Sequence, residues 1–528
     1  MSTSYIDSLP QEVWLECWTL CSPRQLRRLT LVCRLFRTIC QPLLLRHLSA
    51  NLRHVESTDD AERATARLEW LSEGTHPSYV RSWRFRYSMG TRYGSFRPPG
   101  RIRYPRDGNW EPEMLTLRRK IVTGFANNLH LYYNLRSLHL EQVAVDARVR
   151  SIFTALSHLE SLTLTSCDIT ARDGDLVKLR SFKISGPHRS YTEEQRPPLR
   201  LVSAEHLRSL DVDVLSAQHL RILDGMINFE CAELLHILDV DVGEDTEPLF
   251  IGFQDSTFTN LVSLYIGKLE THLLTIFFDL LQRCPQLESL TVHHFFIGSA
   301  VLPTLDPNAV PRLSALTAPL PLIGFFLPHR PVNVVSIERG GYSAGKVMPS
   351  ESVGDYLNQK VLPILSHVSA PLGLRSLSLL PMSVTPECFA SIAAACPGLT
   401  LLAFDVTKKS KMDRETGGSV RGEWDTSDEE EEEDPHSANS PSSASDYEIL
   451  NNVLKWIHDG SVSLPPALEV LKLHVNRGHD TSQWVSGAEE AQARAALVGL
   501  CPRLQEVQIG PVNNVWRHNG AGWRRLRV

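Results

Sequence analysis

The chain has 528 residues, a formal net charge of −6 and 42% hydrophobic residues, a balance that fits a folded protein and argues against bulk nucleic-acid binding. It has no apolar run long enough to cross a bilayer, and its start, MSTSYIDSLP, lacks the basic and apolar regions of a signal peptide. The expected compartment is therefore the cytoplasm or nucleus, with no membrane partner. The ten cysteines are dispersed, with no Cys-x-x-Cys, and read as reduced core residues.

The first stretch, Leu9 to Leu48, is helical in pattern. Ser8 can cap a helix with Pro10 and Gln11 in its first turn, and Ser22-Pro23-Arg24-Gln25 repeats the arrangement with a capping-box glutamine. Leu26, Leu29, Val32, Cys33, Phe36, Ile39 and Cys40 then recur at steps of three and four, which predicts one continuous stripe on a helix that Pro42 ends or kinks. A segment of about forty residues buries little core alone, so some of these side chains call for a partner surface. A zinc site from Cys17, Cys21, Cys33 and Cys40 would need closer paired spacing, so no metal is predicted.

Leu9-Pro10, Glu12-Val13, the Leu26/Leu29 pair, Val32-Cys33, and Phe36 followed by Pro42-Leu43-Leu44 resemble an F-box. The resemblance covers about a tenth of the chain and implies a small helical trio that docks on the Skp adaptor and, through it, a cullin scaffold. It makes Leu9, Pro10, Val13, Leu26, Leu29, Val32 and Phe36 the adaptor-binding residues or their supporting core. Cys17 departs from the family, which usually has a larger aliphatic residue there. The residues alone also allow a helical cap on the next domain.

Residues 51–79 read as a linker helix: Thr58-Asp59-Asp60-Ala61-Glu62 gives a capped, acid-rich start, and Ala64, Leu68 and Leu71 continue an apolar face toward Gly74. Val80, Trp83 and Phe85 mark the expected first strand of the main body. The segment 88–112, rich in Gly, Pro, Arg and aromatics, reads as an exposed loop; its arginines and rings would also suit single-stranded RNA, a reading that ranks below a plain surface loop. Glu113 to Asn134 returns to helical periodicity.

From there the triplet Leu-x-x-Leu-x-Leu recurs, as in Leu135/Leu138/Leu140, Leu159/Leu162/Leu164, Leu207/Leu210/Val212, Leu235/Leu238/Val240, Leu287/Leu290/Val292 and Leu468/Leu471/Leu473, at intervals of about 20 to 28 residues. Leu313/Leu316 and Val332/Val335/Ile337 are degraded copies. The last two apolar positions alternate inward from a short parallel strand, and one repeat cannot bury its own apolar face. Three returning helices end alike, in Cys284-Pro285-Gln286-Leu287, Cys396-Pro397-Gly398-Leu399 and Cys501-Pro502-Arg503-Leu504. With Leu159-x-x-Leu162-x-Leu164-x-x-Cys167-x-Ile169, these junctions resemble the cysteine-containing leucine-rich repeats that often follow F-boxes.

The expected fold class is α/β: an N-terminal helical F-box followed by a curved leucine-rich-repeat solenoid with a parallel sheet on one face. The expected division is 1–50 F-box, 51–79 linker helix, 80–134 first strand, loop and helix, 135–407 repeats, 408–447 disordered acidic insertion, and 448–528 terminal repeats with a basic, aromatic cap. The insertion is polar, with an acidic block from Asp428 to Asp434; Thr426 and Ser427 suit an acid-directed kinase and Ser440 a proline-directed one.

No catalytic constellation and no cofactor motif is present, so the chain is read as a non-enzyme. The sharpest local feature is the pentapeptide Leu-Asp-Val-Asp-Val at 210–214 and again at 238–242. On strands, alternation would project Asp211, Asp213, Asp239 and Asp241 from the exposed face, a negative patch suited to a basic target segment, helped by Tyr265 on the next strand. The function expected is that of a substrate-recognition subunit of a Skp-cullin-F-box ubiquitin ligase. The alternative is an F-box scaffold with no role in ubiquitin transfer.

Overall fold

The computed structural model describes residues 9–52, 55, 57–86, 112–169, 171, 174–185, 201–214, 233–239, 258–296, 303–338, 357–368, 373–379, 385–405, 446–474, 487–510, 514–520 and 522–526. Ser8, the Arg/aromatic stretch as far as residue 111, Asp241, and Thr426, Ser427 and Ser440 lie outside them. The chain divides into two compact units, Met1–Leu261 and Val262–Val528. No helix among the described residues is long and apolar enough to cross a membrane.

In the first unit, α1 (Gln11–Thr19) follows Pro10 without a side-chain cap, whereas α2 (Pro23–Leu29) has the full expected box between Ser22 and Gln25. The continuous stripe is broken into two helices. Thr30 turns its hydroxyl back on the Arg27 carbonyl at 2.7 Å, and Cys33 becomes the extended N-cap of α3 (Arg34–Leu45), its Sγ accepting from the Phe36 N–H at 3.4 Å. A hydroxyl that competes for backbone groups favours a helix end, which periodicity alone does not register. Pro42 does not end α3; the helix carries it to Leu45.

α3 passes almost at once into β1 (His47–Asn51). The expected first strand, β2 (Ser82–Arg86), is therefore the second, paired in parallel with β1 so that Leu48 meets Trp83 and Ala50 meets Phe85. Leu45/Leu48/Ala50 is itself a degenerate triplet, hidden inside the helical module and ending in a residue too small to signal a core position. Between the two strands lie α4 (Thr58–Ser72), boxed by Ser57 and Asp60, and the short α5 (His76–Tyr79). α6 (Pro112–Asn128) brings Phe125 onto Phe85, ring centroids 4.1 Å apart and nearly parallel.

The parallel ladder continues through β3 (Ser137–Glu141), β5 (Ser161–Thr165), β7 (Ser181–Ser185), β8 (Ser209–Val214) and β9 (Leu234–Asp239). Leu138, Leu162, Phe182 and Leu210 stand in one buried row, which is why the triplets repeat. β4 (Ala144–Val145) and β6 (Asp168–Ile169) form a separate small parallel sheet, with α7 (Ala147–Ala155) between them in sequence. Cys167 donates from Sγ to the Leu140 carbonyl of the preceding repeat at 3.4 Å, so the cysteine of the motif stitches one turn to the next.

The second unit is built the same way. β10 (Ser263–Glu270), β11 (Ser289–Phe296), β12 (Ala315–Pro319), β13 (Val334–Glu338), β14 (Ser376–Leu379), β15 (Leu401–Asp405), β16 (Val470–His474) and β17 (Glu506–Gly510) pair in parallel in that order. The degraded copies are regular strands: Leu316 meets Val335, which meets Leu377. The Cys-Pro-x-Leu junction is a turn closed by its own ends. The Leu287, Leu399 and Leu504 N–H groups donate to the carbonyls of Cys284, Cys396 and Cys501 at 3.2, 3.1 and 3.0 Å, and proline, lacking an N–H, cannot extend the helix past the cysteine. The basic tail forms β18 (Val515–His518) and β19 (Trp523–Leu526), added antiparallel beside β17. There the Arg494 guanidinium lies 3.6 Å from the centre of the Trp516 ring and pairs with Glu490.

Burial pushes the Cys167 and Cys284 thiols up to about 12, which keeps them protonated and unreactive at neutral pH. Mass spectrometry after brief iodoacetamide treatment of the native chain should find exposed Cys17 modified and these two untouched. Rapid labelling of Cys167 would contradict its place in the core.

Candidate functional site: an apolar helical surface and an exposed sheet face

The helical module has a small core of its own. Trp18, Leu26, Phe36, Ile39 and Cys40 are buried together, with Trp14 and Leu29 packed against them, and the rings of Trp14, Trp18 and Phe36 lie 4.5 to 5.4 Å apart. Burial raises the Cys40 thiol pKa, with Cys21 and Cys33 adding to it. Cys17 is exposed, so its small side chain leaves no hole in this core.

The structure divides the sequence-picked residues into two groups. Leu26 and Phe36 are core, and Leu29 leans on it, whereas Leu9, Pro10, Val13 and Val32 are exposed. Leu15, Leu20 and Leu31 join the exposed set and were not singled out by periodicity. Leu31 and Val32 are 80% and 60% exposed, and Leu20 is 90% exposed. Six of the large exposed hydrophobic residues of the described chain thus fall between positions 9 and 32. The break between α2 and α3 is the cause for one of them, since it turns Val32 outward from a stripe that would otherwise have buried it.

This module is tied to the rest of its unit. Gln41 Nε2 lies 2.8 Å from His76 Nε2, His76 Nδ1 lies 3.0 Å from the Trp70 carbonyl, and the His76 and Trp70 rings contact at 4.3 Å. The Arg46 carbonyl, at the end of α3, accepts the N–H groups of both Arg81 and Ser82 at 2.9 and 3.0 Å.

The aspartate pentapeptides are not assembled as the sequence predicts. β8 pairs with β9 so that Leu210 meets Leu235 and Val212 meets Ile237; Asp211 then faces His236, Asp213 faces Leu238, and Asp239 stands opposite Val214. The stretch LLHILD offers two alternations, Leu235/Ile237 and Leu238/Val240; the register sets buried Leu235 beside Leu210, and an odd shift of register exchanges the two faces. Asp211 is also neutralised, its carboxylate 2.5 Å from Lys183 Nζ on β7. Tyr265 belongs to the second unit, where its ring neighbours His293 at 6.1 Å and His293 lies 3.6 Å from the Glu338 carboxylate. Burial raises the Glu338 pKa, and His293 opposes that shift.

The exposed face of the first sheet is instead rich in cations. Arg84 and Arg86 on β2 and Lys183 on β7 flank His139 on β3, with the hydroxyls of Thr163 and Thr165 on β5 among them. Burial lowers the His139 pKa, and Arg84, Arg86 and Lys183 lower it further against the opposing pull of Glu141. Among the described residues no group of His, Cys, Asp and Glu is arranged to hold a metal.

Comparison with known proteins adds little to this geometry. No protein-family model matches the chain, and no curated protein matches it. Among solved structures, a Bacteroides fragilis protein is similar over 46% of this chain and 67% of its own, at 13% identity and a TM-score of 0.29. The chain is an α/β protein whose repeat-like units are built on parallel strands.

Proposed function

We propose that the chain is the substrate-recognition subunit of a Skp-cullin-F-box ubiquitin ligase, with the helical module docking the Skp adaptor and the face of a leucine-rich-repeat solenoid holding a protein target. The observation that carries this reading is the concentration of outward-facing apolar side chains on a module that already has its own core. Leu20, Leu31 and Val32 lie mostly in water, and a concentration of exposed large apolar side chains within one short module favours an interaction site. The F-box resemblance, carried by positions in this same module, supplies the partner.

In this role the chain catalyses nothing. It holds target lysines near a ubiquitin carrier bound elsewhere on the complex and so raises their effective concentration. The scaffold alternative shares the docking step and differs only in the fate of the target.

The test is capture of the adaptor by the full chain and by a chain lacking residues 1–45. The cut is placed there because Leu48 and Ala50 belong to the first strand of the sheet. Undiminished capture by the truncated chain would overturn the docking reading. Accumulation of a bound protein when cullin activity is inhibited is expected of a ligase subunit, and unchanged turnover would favour the scaffold.

A further inference from the structure

The first sheet's exposed face and the rim where its strands begin hold an unbalanced set of charges. The residue immediately before each of the strands β1, β2, β3, β5 and β7 is Arg46, Arg81, Arg136, Glu160 and Arg180 in turn. These rim residues are fixed in file by the backbone, because each of the first four offers its carbonyl to two N–H groups of the next repeat; Arg136, for example, accepts from Glu160 and Ser161, both at 2.8 Å. Adding Arg84, Arg86 and Lys183 from the face gives seven cations on these five repeats, against the carboxylates of Glu141 and Glu160.

Both carboxylates are already engaged. Arg86 Nε lies 2.7 Å from Glu141, and Arg136 lies 3.7 Å from Glu160. Lys183 is held by Asp211 of the next strand. Arg46, Arg84 and Arg180 form no ion pair among the described residues, and all three are exposed. Like charges on neighbouring strands, spaced by about 4.8 Å, weaken a sheet slightly. A chain whose net charge is −6 nevertheless gathers cations here. The side chains between them are short hydroxyls, Ser82, Ser137, Thr163 and Thr165, which leave the guanidinium groups accessible and can donate to an anion themselves.

We propose that this face binds a protein segment bearing several anionic groups, glutamate and aspartate carboxylates or phosphoserine phosphates, with Arg84 and Arg180 as its uncommitted contacts. Guanidinium groups suit both anions, because two parallel N–H donors match two oxygens. A peptide is favoured over RNA because the described strand residues that face outward here are serines, threonines, arginines, histidines, a lysine, Asn51 and Glu141, with no phenylalanine, tyrosine or tryptophan ring on which a base could stack. The inference deepens the receptor reading by naming the class of target, but it does not depend on adaptor docking, since binding is measured on the chain alone.

The experiment is fluorescence anisotropy of the full chain with short labelled peptides of one length: a Gly/Ser peptide, a Glu-rich peptide and a multiply phosphorylated serine peptide, with labelled oligouridylate as a fourth probe. Binding of the acidic or the phosphorylated peptide, at least about tenfold tighter than the neutral one and weakening as salt rises, is expected. Comparing those two probes separates carboxylate from phosphate recognition. Arg84→Glu and Arg180→Glu should each weaken the preferred peptide by about tenfold, whereas Arg503→Glu in the second unit should not. Thermal unfolding checks that each variant is folded, with Arg84→Ala read in place of any charge reversal that fails. Equal binding of neutral and anionic peptides, indifference to both reversals, or oligouridylate bound as tightly as the best peptide would each overturn the proposal. Because adaptor capture should be unchanged in Arg84→Glu, loss of one activity can be told from loss of the other.

Discussion

The double variant Leu31→Asp/Val32→Asp is expected to abolish adaptor capture while leaving the fold intact. Both side chains are mostly in water in the free chain, so replacing them should change stability by no more than about 0.5 kcal/mol. At the centre of an interface the same change removes apolar contact and buries two carboxylates without partners. Truncating a well-packed interface anchor commonly costs about 2–4 kcal/mol, roughly 30- to 1000-fold in affinity, and a buried charge adds to that. Calorimetric titration of adaptor against the wild-type and double-variant chains, with melting curves of both, reads the two quantities separately. Phe36→Ala provides the contrast: it should lose capture together with the helical module's own stability, because it opens the Trp14/Trp18 cluster. A double variant that binds normally would leave the exposed apolar surface without its proposed role.

The second large effect belongs to Arg330, which is 2% exposed and forms no ion pair among the described residues. Its Nε donates to the Ala309 carbonyl at 2.9 Å, Nη1 to Phe325 and Pro328 at 3.1 and 3.0 Å, and Nη2 to Asp306 at 2.7 Å. One planar fork thus joins the loop before β12 to the turn before β13. Burial lowers its pKa, and the nearby Asp306 pulls the other way. Arg330→Leu keeps a bulky apolar stem but strips the donors from four carbonyls, and each buried acceptor left unpaired costs about 1–3 kcal/mol, less than additively. A loss of about 3–5 kcal/mol is expected in urea unfolding of the chain. Arg330→Lys should recover only part of it, because a point charge cannot reach four acceptors spread around a plane. A change below about 1 kcal/mol in Arg330→Leu would show that water replaces the missing donors.

The same arginine explains where the sequence stopped being legible. Between positions 313 and 337 the leucine triplets decay, yet β12 and β13 take their places in the ladder without interruption. What substitutes for the missing leucines is a cation reaching backward in sequence to carbonyls, and no periodicity reports that. Signals that act within three or four residues were readable: the Ser22/Gln25 box, the Cys-Pro-x-Leu turn, and the inward alternation of Leu138/Leu140 or Leu471/Leu473. Signals that depend on a neighbouring strand were not. Leu235 is set beside Leu210 only by pairing with β8, and Asp211 is neutralised by a lysine 28 positions earlier. Reading one strand at a time sees the aspartates of 210–214 but not Lys183, which stands beside Asp211 only after folding, nor the cations that other strands gather on the same sheet.

α3 ends one residue before β1 begins, and Arg46 at that junction takes two backbone bonds from the start of β2. The joint between the helical module and the first sheet is therefore a single residue, tied by its carbonyl to the next strand. A partner that docked on the outer side of the module would be joined to the sheet by one residue and two backbone hydrogen bonds, not by a long linker. An exchange of helical modules between proteins would have to carry residues 46–51 with it. A fusion made at residue 45 would cut the outermost rung of the ladder away from the part that steers it.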